Sequence, residues 1–136
     1  MLEIAESAYE KMVADCIRGY PHEACGMLIG NQGRIATAYP ANNEAASARI
    51  YTVAPKDLLA ADRFAEASGL EIVGVYHSHT HTEAYPSPTD VRQAPDPEWW
   101  YLLVSLRRDL PDVRAYRIRD GVIAESQLIV ESAKMR

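Results

Sequence analysis

Three of the four histidines in the chain lie within five residues of one another, at His77, His79 and His81. The first two follow an apolar segment, residues 71–76, whose β-branched residues are typical of a buried strand. Side chains two apart in a strand project from the same face, so we expect the imidazoles of His77 and His79 to lie side by side. Two neutral imidazoles on one face make half of a tetrahedral zinc site.

Asp90 is the candidate for a third ligand. A catalytic zinc is held by three protein ligands and keeps one position open for water. The loop over residues 81–86 returns the chain toward the histidines, and the residues after it are typical of a helix start. Ser87 is placed to cap that helix, Pro88 lies in its first turn and Asp90 is at its third position. The spacing therefore predicts that Asp90 points back at the two imidazoles.

Hydrolysis at such a metal also requires a proton carrier. Zinc lowers the pKa of a bound water toward neutrality, but an uncoordinated carboxylate must take its proton and pass it to the leaving amine. Glu23 is the best-placed candidate, because it directly precedes a predicted buried strand over residues 24–29. Ser87 could in addition donate a hydrogen bond to a developing oxyanion.

Length and composition describe an ordinary globular domain. The chain has 136 residues, of which 48% are hydrophobic and 24% charged, enough to bury one core. The net charge of −5 and the absence of a basic patch argue against a nucleic-acid partner. No segment approaches the roughly 18 apolar residues of a membrane span. With Cys16 and Cys25 expected as free thiols, we predict a cytoplasmic protein without a membrane partner.

Helices and strands alternate along the sequence. Apolar residues at helical spacing predict a first helix from Glu3 to about Gly19, and a second helix fits residues 55–68. Strands are predicted over residues 24–29, 34–39, 49–53, 71–76, 99–105, 112–119 and 122–130. These elements indicate an α/β or α+β fold with a mixed central sheet flanked by helices.

The residues named so far resemble the pattern of the JAMM (Mov34/MPN/PAD-1, MPN-plus) metalloproteases. The pattern is His77-Ser78-His79, seven residues, Ser87, two residues and Asp90, with a glutamate just before an upstream apolar strand. The resemblance covers the whole chain and implies one JAMM/MPN domain over residues 1–136, with a cytidine-deaminase-like fold. It also implies one Zn²⁺ per chain on His77, His79 and Asp90, stabilisation of the tetrahedral intermediate by Ser87, and Glu23 as general acid and base.

Within that family, the chain is similar to the short bacterial, Mec-like members. The segments that carry this similarity are Pro-His-Glu-Ala-Cys-Gly at 21–26 and His-Ser-His-Thr-His-Thr-Glu-Ala-Tyr-Pro-Ser at 77–87. It implies hydrolysis of the amide after the C-terminal glycine of a ubiquitin-fold sulfur-carrier protein ending in Gly-Gly, in cysteine biosynthesis. His81, Tyr85 and Asn43 are candidate substrate contacts.

Each of these residues also has a purely structural interpretation. Ser87 and Asp90 could be a capping pair worth about 1 kcal/mol. His81 could be an exposed loop residue and Asn43 a turn residue, whereas Tyr85 is considered as a wall of the substrate groove. For the whole chain, the alternative to an enzyme is a ubiquitin-like-protein binding or scaffold MPN module, which would be expected to lack one or more of the four metal-site residues. The oligomeric state is not readable from the sequence.

Other hydrolase and metal-binding classes fit less well. A cupin could use His77, His79 and Glu83, but it needs a later histidine, and none follows His81. A zinc deaminase needs a Pro-Cys-x-x-Cys element, which is absent. Amidohydrolase barrels need nearly twice this length.

Overall fold

The computed structural model describes residues 1–45 and 52–132, which form one eight-stranded sheet and three helices. The helices are α1 (Glu6–Gly19), α2 (Pro55–Ala67) and α3 (Pro88–Arg92). The strands are β1 (Leu2–Ala5), β2 (Cys25–Asn31), β3 (Arg34–Ala41), β4 (Glu71–His79), β5 (Trp100–Ser105), β6 (Asp112–Arg119), β7 (Val122–Ser126) and β8 (Leu128–Glu131). None of the described helices is both long and apolar enough to cross a membrane.

The sheet is mixed, and β4 lies near its middle. The strand order is β7-β6-β5-β4-β2-β3-β1-β8. β4 pairs antiparallel with β2 and parallel with β5. Both faces of β4 are covered, which explains why its sequence is continuously apolar instead of alternating. The expected mixed central sheet flanked by helices is therefore confirmed.

The two sheet faces are covered by different helices. One core forms under α1, whose buried side chains are Ala8, Met12 and Cys16. The other forms under α2, which contributes Ala61 and Ala65. Small residues on α2 allow the helix to approach the sheet closely, and the face of β4 beneath it is the one that leads to the histidines.

The two ends of the described chain differ from the sequence-based prediction. The first helix begins at Glu6, not Glu3, because Leu2–Ala5 forms β1 between β3 and β8. The strand predicted over 122–130 is two strands, since β8 leaves β7 and pairs in parallel with β1 at the opposite edge of the sheet. Both corrections have one cause, a pairing between distant segments that leaves no local signal.

Two further expectations concern the segments around the site. β4 continues to His79, three residues beyond the strand predicted over 71–76, because Ser78 and His79 pair with the end of β5. The strand predicted over 49–53 lies partly outside the described residues. Within them, Val53 forms an isolated antiparallel bridge with Asn43.

Candidate active site

The end of β4 presents both histidines to the same side, as their spacing predicts. The backbone of His77 is fixed by ladder pairing on both sides, opposite Cys25 of β2 and Leu103 of β5. Both imidazoles are buried, with His77 only 2% exposed. Their Nε2 atoms lie 3.3 Å apart, so the two lone-pair positions face one common point.

A capping box at the start of α3 brings Asp90 to this point. Ser87 Oγ accepts from the Asp90 amide at 3.1 Å, and Asp90 Oδ2 accepts from the Ser87 amide at 2.9 Å. The same Oδ2 atom lies 3.0 Å from His79 Nε2 and 3.2 Å from His77 Nε2. The cap thus supports the ligand function, because it fixes where the carboxylate points.

The three donor atoms fit a tetrahedral metal. Ligand bonds of 2.0–2.2 Å to zinc imply donor separations of about 3.3 Å, close to the three distances between His77, His79 and Asp90. Among the described residues, these three form the group of histidine, cysteine and acidic side chains that could hold an ion. Two imidazoles and one carboxylate, with a fourth direction left for water, is a donor set used by catalytic zinc.

Hydrogen bonds from the protein orient His79 for this role. Its Nδ1 lies 2.8 Å from the carbonyl of Glu83, which can only accept, so Nδ1 carries a proton and Nε2 is the ring nitrogen that faces Asp90 and the candidate metal position. The neighbouring carbonyls are held as well. Ser105 Oγ donates to Thr82 at 2.6 Å, and the Tyr116 hydroxyl donates to Ala84. Three consecutive carbonyls of the loop are therefore anchored to the sheet.

Charge in the site is concentrated on Asp90. Burial raises the pKa of Asp90, but hydrogen bonds from His77 and His79 outweigh it and hold that pKa well below its usual range. Burial dominates for His77 and lowers its pKa, against the opposing effect of Asp90. For His79, hydrogen bonds to Asp90 and to the Glu83 carbonyl overcome burial and raise the pKa. The negative charge of Asp90 therefore favours a cation between the carboxylate and the two imidazoles.

Glu23 lies beside this group and is 4% exposed. The next residue is pinned to β4 in both directions, because the Ala24 amide donates to Ser78 Oγ and its carbonyl accepts from the Ser78 amide. Burial raises the pKa of Glu23 to about 8, with His79 lowering it and Asp90 raising it. Glu23 Oε1 is buried and has no hydrogen-bond partner within residues 1–45 and 52–132. A buried carboxyl left in this way is typical of a functional group.

The three candidate substrate contacts lie in different settings. His81 is exposed, with Nε2 3.4 Å from the Tyr20 hydroxyl, and is not part of the metal-ligand group. Tyr85 is 55% exposed and packs edge-on against Tyr116 at the outer side of the anchored loop. Asn43 lies behind Glu23, and its amide Nδ2 donates to the Glu23 carbonyl at 2.8 Å.

An apolar cavity of about 310 Å³ lies on the α2 side of the sheet. Val75, which lines it, is two residues before His77 and faces the same side of β4. The cavity therefore lies beside the strand that leads to the histidines. Its lining is Met27, Thr52, Val53, Leu58, Val75, Gln93, Pro95 and Trp99.

Some supporting groups have no sequence signal. Glu83 and Thr82 act through backbone carbonyls, which every residue type possesses. Ser105 and Tyr116, which hold the loop, lie on strands that the sequence predicts but in registers that it does not reveal. The side chains that face the candidate metal were predictable from spacing, whereas the groups that orient them were not.

Comparisons with known proteins identify a family and relatives that cover most of the chain. The family model for prokaryotic homologs of the JAB domain matches residues 5–119. The CysO-cysteine peptidase of Mycobacterium tuberculosis is 39% identical over 133 residues, covering 96% of this chain and 91% of the relative. The desampylase of Haloferax volcanii is 32% identical over 111 residues, covering 76% and 80%.

A solved structure gives the same result at the level of the fold. The solution structure of a protein from Desulfitobacterium hafniense superposes with a TM-score of 0.89 at 30% identity, covering 96% of this chain and 93% of that one. The matched sequence model spans the histidines, Asp90 and Glu23 together. The chain therefore belongs to the family of prokaryotic homologs of the JAB domain.

Proposed function

We propose that this protein is a zinc-dependent JAMM-type peptidase. Its substrate is the amide bond after the C-terminal glycine of a ubiquitin-like sulfur-carrier protein, such as a carrier–cysteine adduct formed in cysteine biosynthesis. The observation that carries the proposal is the convergence of His77, His79 and Asp90 beside the buried carboxyl of Glu23. Relatives named CysO-cysteine peptidase and desampylase support a peptidase that releases a group from such a protein.

Glu23 is the proton carrier in this proposal. When bound to the two imidazoles and Asp90, Zn²⁺ supplies a water of lowered pKa and a Lewis acid for the scissile carbonyl. Glu23 accepts the proton of the attacking water and delivers it to the departing nitrogen. A carboxyl whose pKa is raised toward neutrality can do both at cellular pH.

Ser87 is the proposed oxyanion donor. Its Oγ accepts the Asp90 amide proton through a lone pair, so this cap does not use the hydroxyl hydrogen. That hydrogen can be directed at the oxygen of the tetrahedral intermediate, where charge develops. One side chain thus orients a ligand and stabilises the transition state.

The apolar cavity is the proposed seat of the carrier tail. A glycine-rich C-terminal tail is extended and narrow, so it can lie across the α2-side face of the sheet from the cavity toward His77. His81 and Tyr85, both exposed beyond the metal ligands, are then placed to contact the rest of the substrate. The two cysteines are free thiols, which agrees with a reducing compartment, and we propose the cytoplasm.

Conjugate cleavage tests the proposal directly. The zinc-loaded protein is incubated with a ubiquitin-fold carrier bearing a C-terminal cysteine, and mass spectrometry follows the release of the amino acid. Glu23→Gln should lower kcat by at least about 100-fold because it removes the proton carrier, while about one zinc per chain is retained. Glu10→Gln, an exposed glutamate on α1, is the matched control and should cleave normally.

The same experiment separates an enzyme from a binding module. A protein that binds the carrier but releases nothing, with zinc bound and Glu23 intact, would contradict the peptidase proposal and favour a scaffold.

A further inference from the structure

Asn43 makes hydrogen bonds with both ends of its side-chain amide. Nδ2 donates to the carbonyl of Glu23 at 2.8 Å. Oδ1 accepts from the amides of Thr52 and Ala45 at 2.8 and 3.0 Å. One side chain thus joins the backbone of the proposed proton carrier to a separate segment that lies nearly ten residues further along the chain.

That second segment is a wall of the apolar cavity. Thr52 and Val53 both line the cavity, and Val53 forms a bridge with Asn43 itself. Two more backbone bonds close the same unit, from the Glu44 amide to the Thr52 carbonyl and from the Ala54 amide to the Asn42 carbonyl. The wall is therefore held as a small two-stranded unit with Asn43 as its link to Glu23.

Few described hydrogen bonds hold Glu23. Its carboxyl Oε1 has no hydrogen-bond partner in the described residues, so the bonds to its backbone contribute to placing this buried side chain. On one side that backbone is fixed by Ala24 against Ser78. On the other side the described bond to the Glu23 carbonyl comes from Asn43.

We propose that Asn43 is a positioning residue that couples the cavity wall at Thr52 and Val53 to the carboxyl of Glu23. This inference rests on the proposed function, because it assigns the cavity to the substrate tail and proton transfer to Glu23. The side-chain amide of Asn43 thus fixes the distance between the wall that contacts the tail and Glu23, which protonates the leaving nitrogen. Displacement of a reacting group by about 1 Å can lower a rate by about 100-fold, so the link matters for turnover.

Two substitutions separate the ends of the amide. Asn43→Asp keeps an acceptor for Thr52 and Ala45 but places a carboxylate oxygen, which cannot donate, against the Glu23 carbonyl. Asn43→Ala removes both ends. Asn42→Asp is the matched control, because it adds the same charge one residue earlier, where the described bonds of Asn42 all use its backbone.

Steady-state kinetics on a carrier conjugate give the first readout. Asn43→Asp should lower kcat between about 10- and 100-fold with KM within about twofold of the parent, because the wall is kept. Asn43→Ala should lower kcat similarly and also raise KM. Asn42→Asp should match the parent. Zinc affinity, measured by chelator competition, should be the same in all four proteins.

A double-mutant cycle with Glu23→Gln decides whether the effect passes through the glutamate. In the Glu23→Gln background, Asn43→Asp should lower kcat by less than about a further twofold, since the proton carrier is already disabled. An equal loss in both backgrounds, a normal kcat for Asn43→Asp, or a loss of zinc affinity would each overturn the inference.

Hydrogen exchange gives a readout that needs no substrate. Asn43→Asp should speed exchange of the Ala24 amide, which is bonded to Ser78, while Asn42→Asp should not. If the parent protein cleaves no conjugate, the proposed function is wrong, and the exchange experiment alone then tests whether Asn43 positions the backbone of Glu23. Unchanged exchange in Asn43→Asp would overturn it whatever the activity.

Discussion

Asp90 caps α3 and is the proposed third metal ligand, and substitution can separate the two functions. Asp90→Asn keeps an oxygen that can accept from the Ser87 amide but removes the charge that faces both imidazoles. We expect zinc affinity to fall by more than the roughly 10- to 100-fold that loss of an outer hydrogen bond causes. Chelator competition measures the zinc affinity, and urea unfolding of the metal-free protein measures its free energy of unfolding.

Ser87→Ala is the control for that prediction. It removes the capping acceptor, at a cost of about 1 kcal/mol of stability, and leaves all three ligand side chains in place. Zinc affinity should change far less than in Asp90→Asn. Equal losses of affinity in the two variants would mean that Asp90 acts as a cap and not as a ligand.

The cysteines provide a second prediction at this scale. Burial raises the pKa of Cys25 to about 12 and also raises that of Cys16. Only the thiolate is nucleophilic, so both thiols should resist alkylation at pH 8 in the folded protein and react in urea. Mass spectrometry after iodoacetamide treatment gives the number of alkylated cysteines per chain. Rapid labelling of Cys25 in the native state would contradict the prediction.

At the residue scale, the side chains of the site were predictable because their chemistry restricts which residue types can serve. His77, His79 and Asp90 were predicted as ligands from type and spacing, and the structure brings them together. The donors to the loop carbonyls were not predictable, because nothing in a sequence marks which carbonyl accepts a bond. Asn43 illustrates the same limit, since its link to Glu23 depends on a contact between two segments.

Among the elements, β4 determines the geometry of the site, and its pairing with β5 is unusually close at Gly74. A Cβ at this position would lie 2.2 Å from the Trp100 carbonyl oxygen, a backbone atom that cannot move aside without breaking the strand pair. We expect Gly74→Ala to lower the free energy of unfolding by about 3 kcal/mol. Urea unfolding monitored by tryptophan fluorescence would measure the change.

Gly69→Ala is the control for this prediction. Its added Cβ would have no heavy atom within 4 Å, so the expected cost of about 1 kcal/mol comes only from its φ of +71°. A larger loss for Gly69→Ala than for Gly74→Ala would contradict the argument from close strand approach.

The elements that the sequence predicts well are those stabilised by local patterns. α1 follows from apolar periodicity and α2 from its boundary residues, Pro55 in the first turn and Gly69 after the end. The strands β2 to β6 follow from apolar runs bounded by turns. β1 and β8 are different, because they pair in parallel with each other across the length of the chain, and β1 pairs also with β3. A mostly apolar segment of four residues before a helix is equally compatible with an extra helical turn, and tertiary pairing decides between the two.

For the whole molecule, metal binding and folding should be coupled. An ion that binds only the native state adds about 2.7 kcal/mol at a concentration 100 times its Kd. For a domain of this size, that raises Tm by roughly 10 °C. Differential scanning calorimetry with and without zinc measures the shift, which should vanish in His77→Ala and persist in His81→Ala. Loss of the shift in His81→Ala would show that the ligand set is wrong.

The pairing of β1 with β8 also affects how the molecule is made. A ribosome synthesises β1 first and β8 after every other described strand, yet the two lie side by side with Leu2 opposite Leu128. β4, which carries His77 and His79, can pair with β2 and β5 while the outer edge of β1 is still uncovered. An uncovered strand edge is a template for another chain. A nascent chain stalled before β8 should therefore have a formed site and a tendency to associate with other copies through the edge of β1 that β8 otherwise covers.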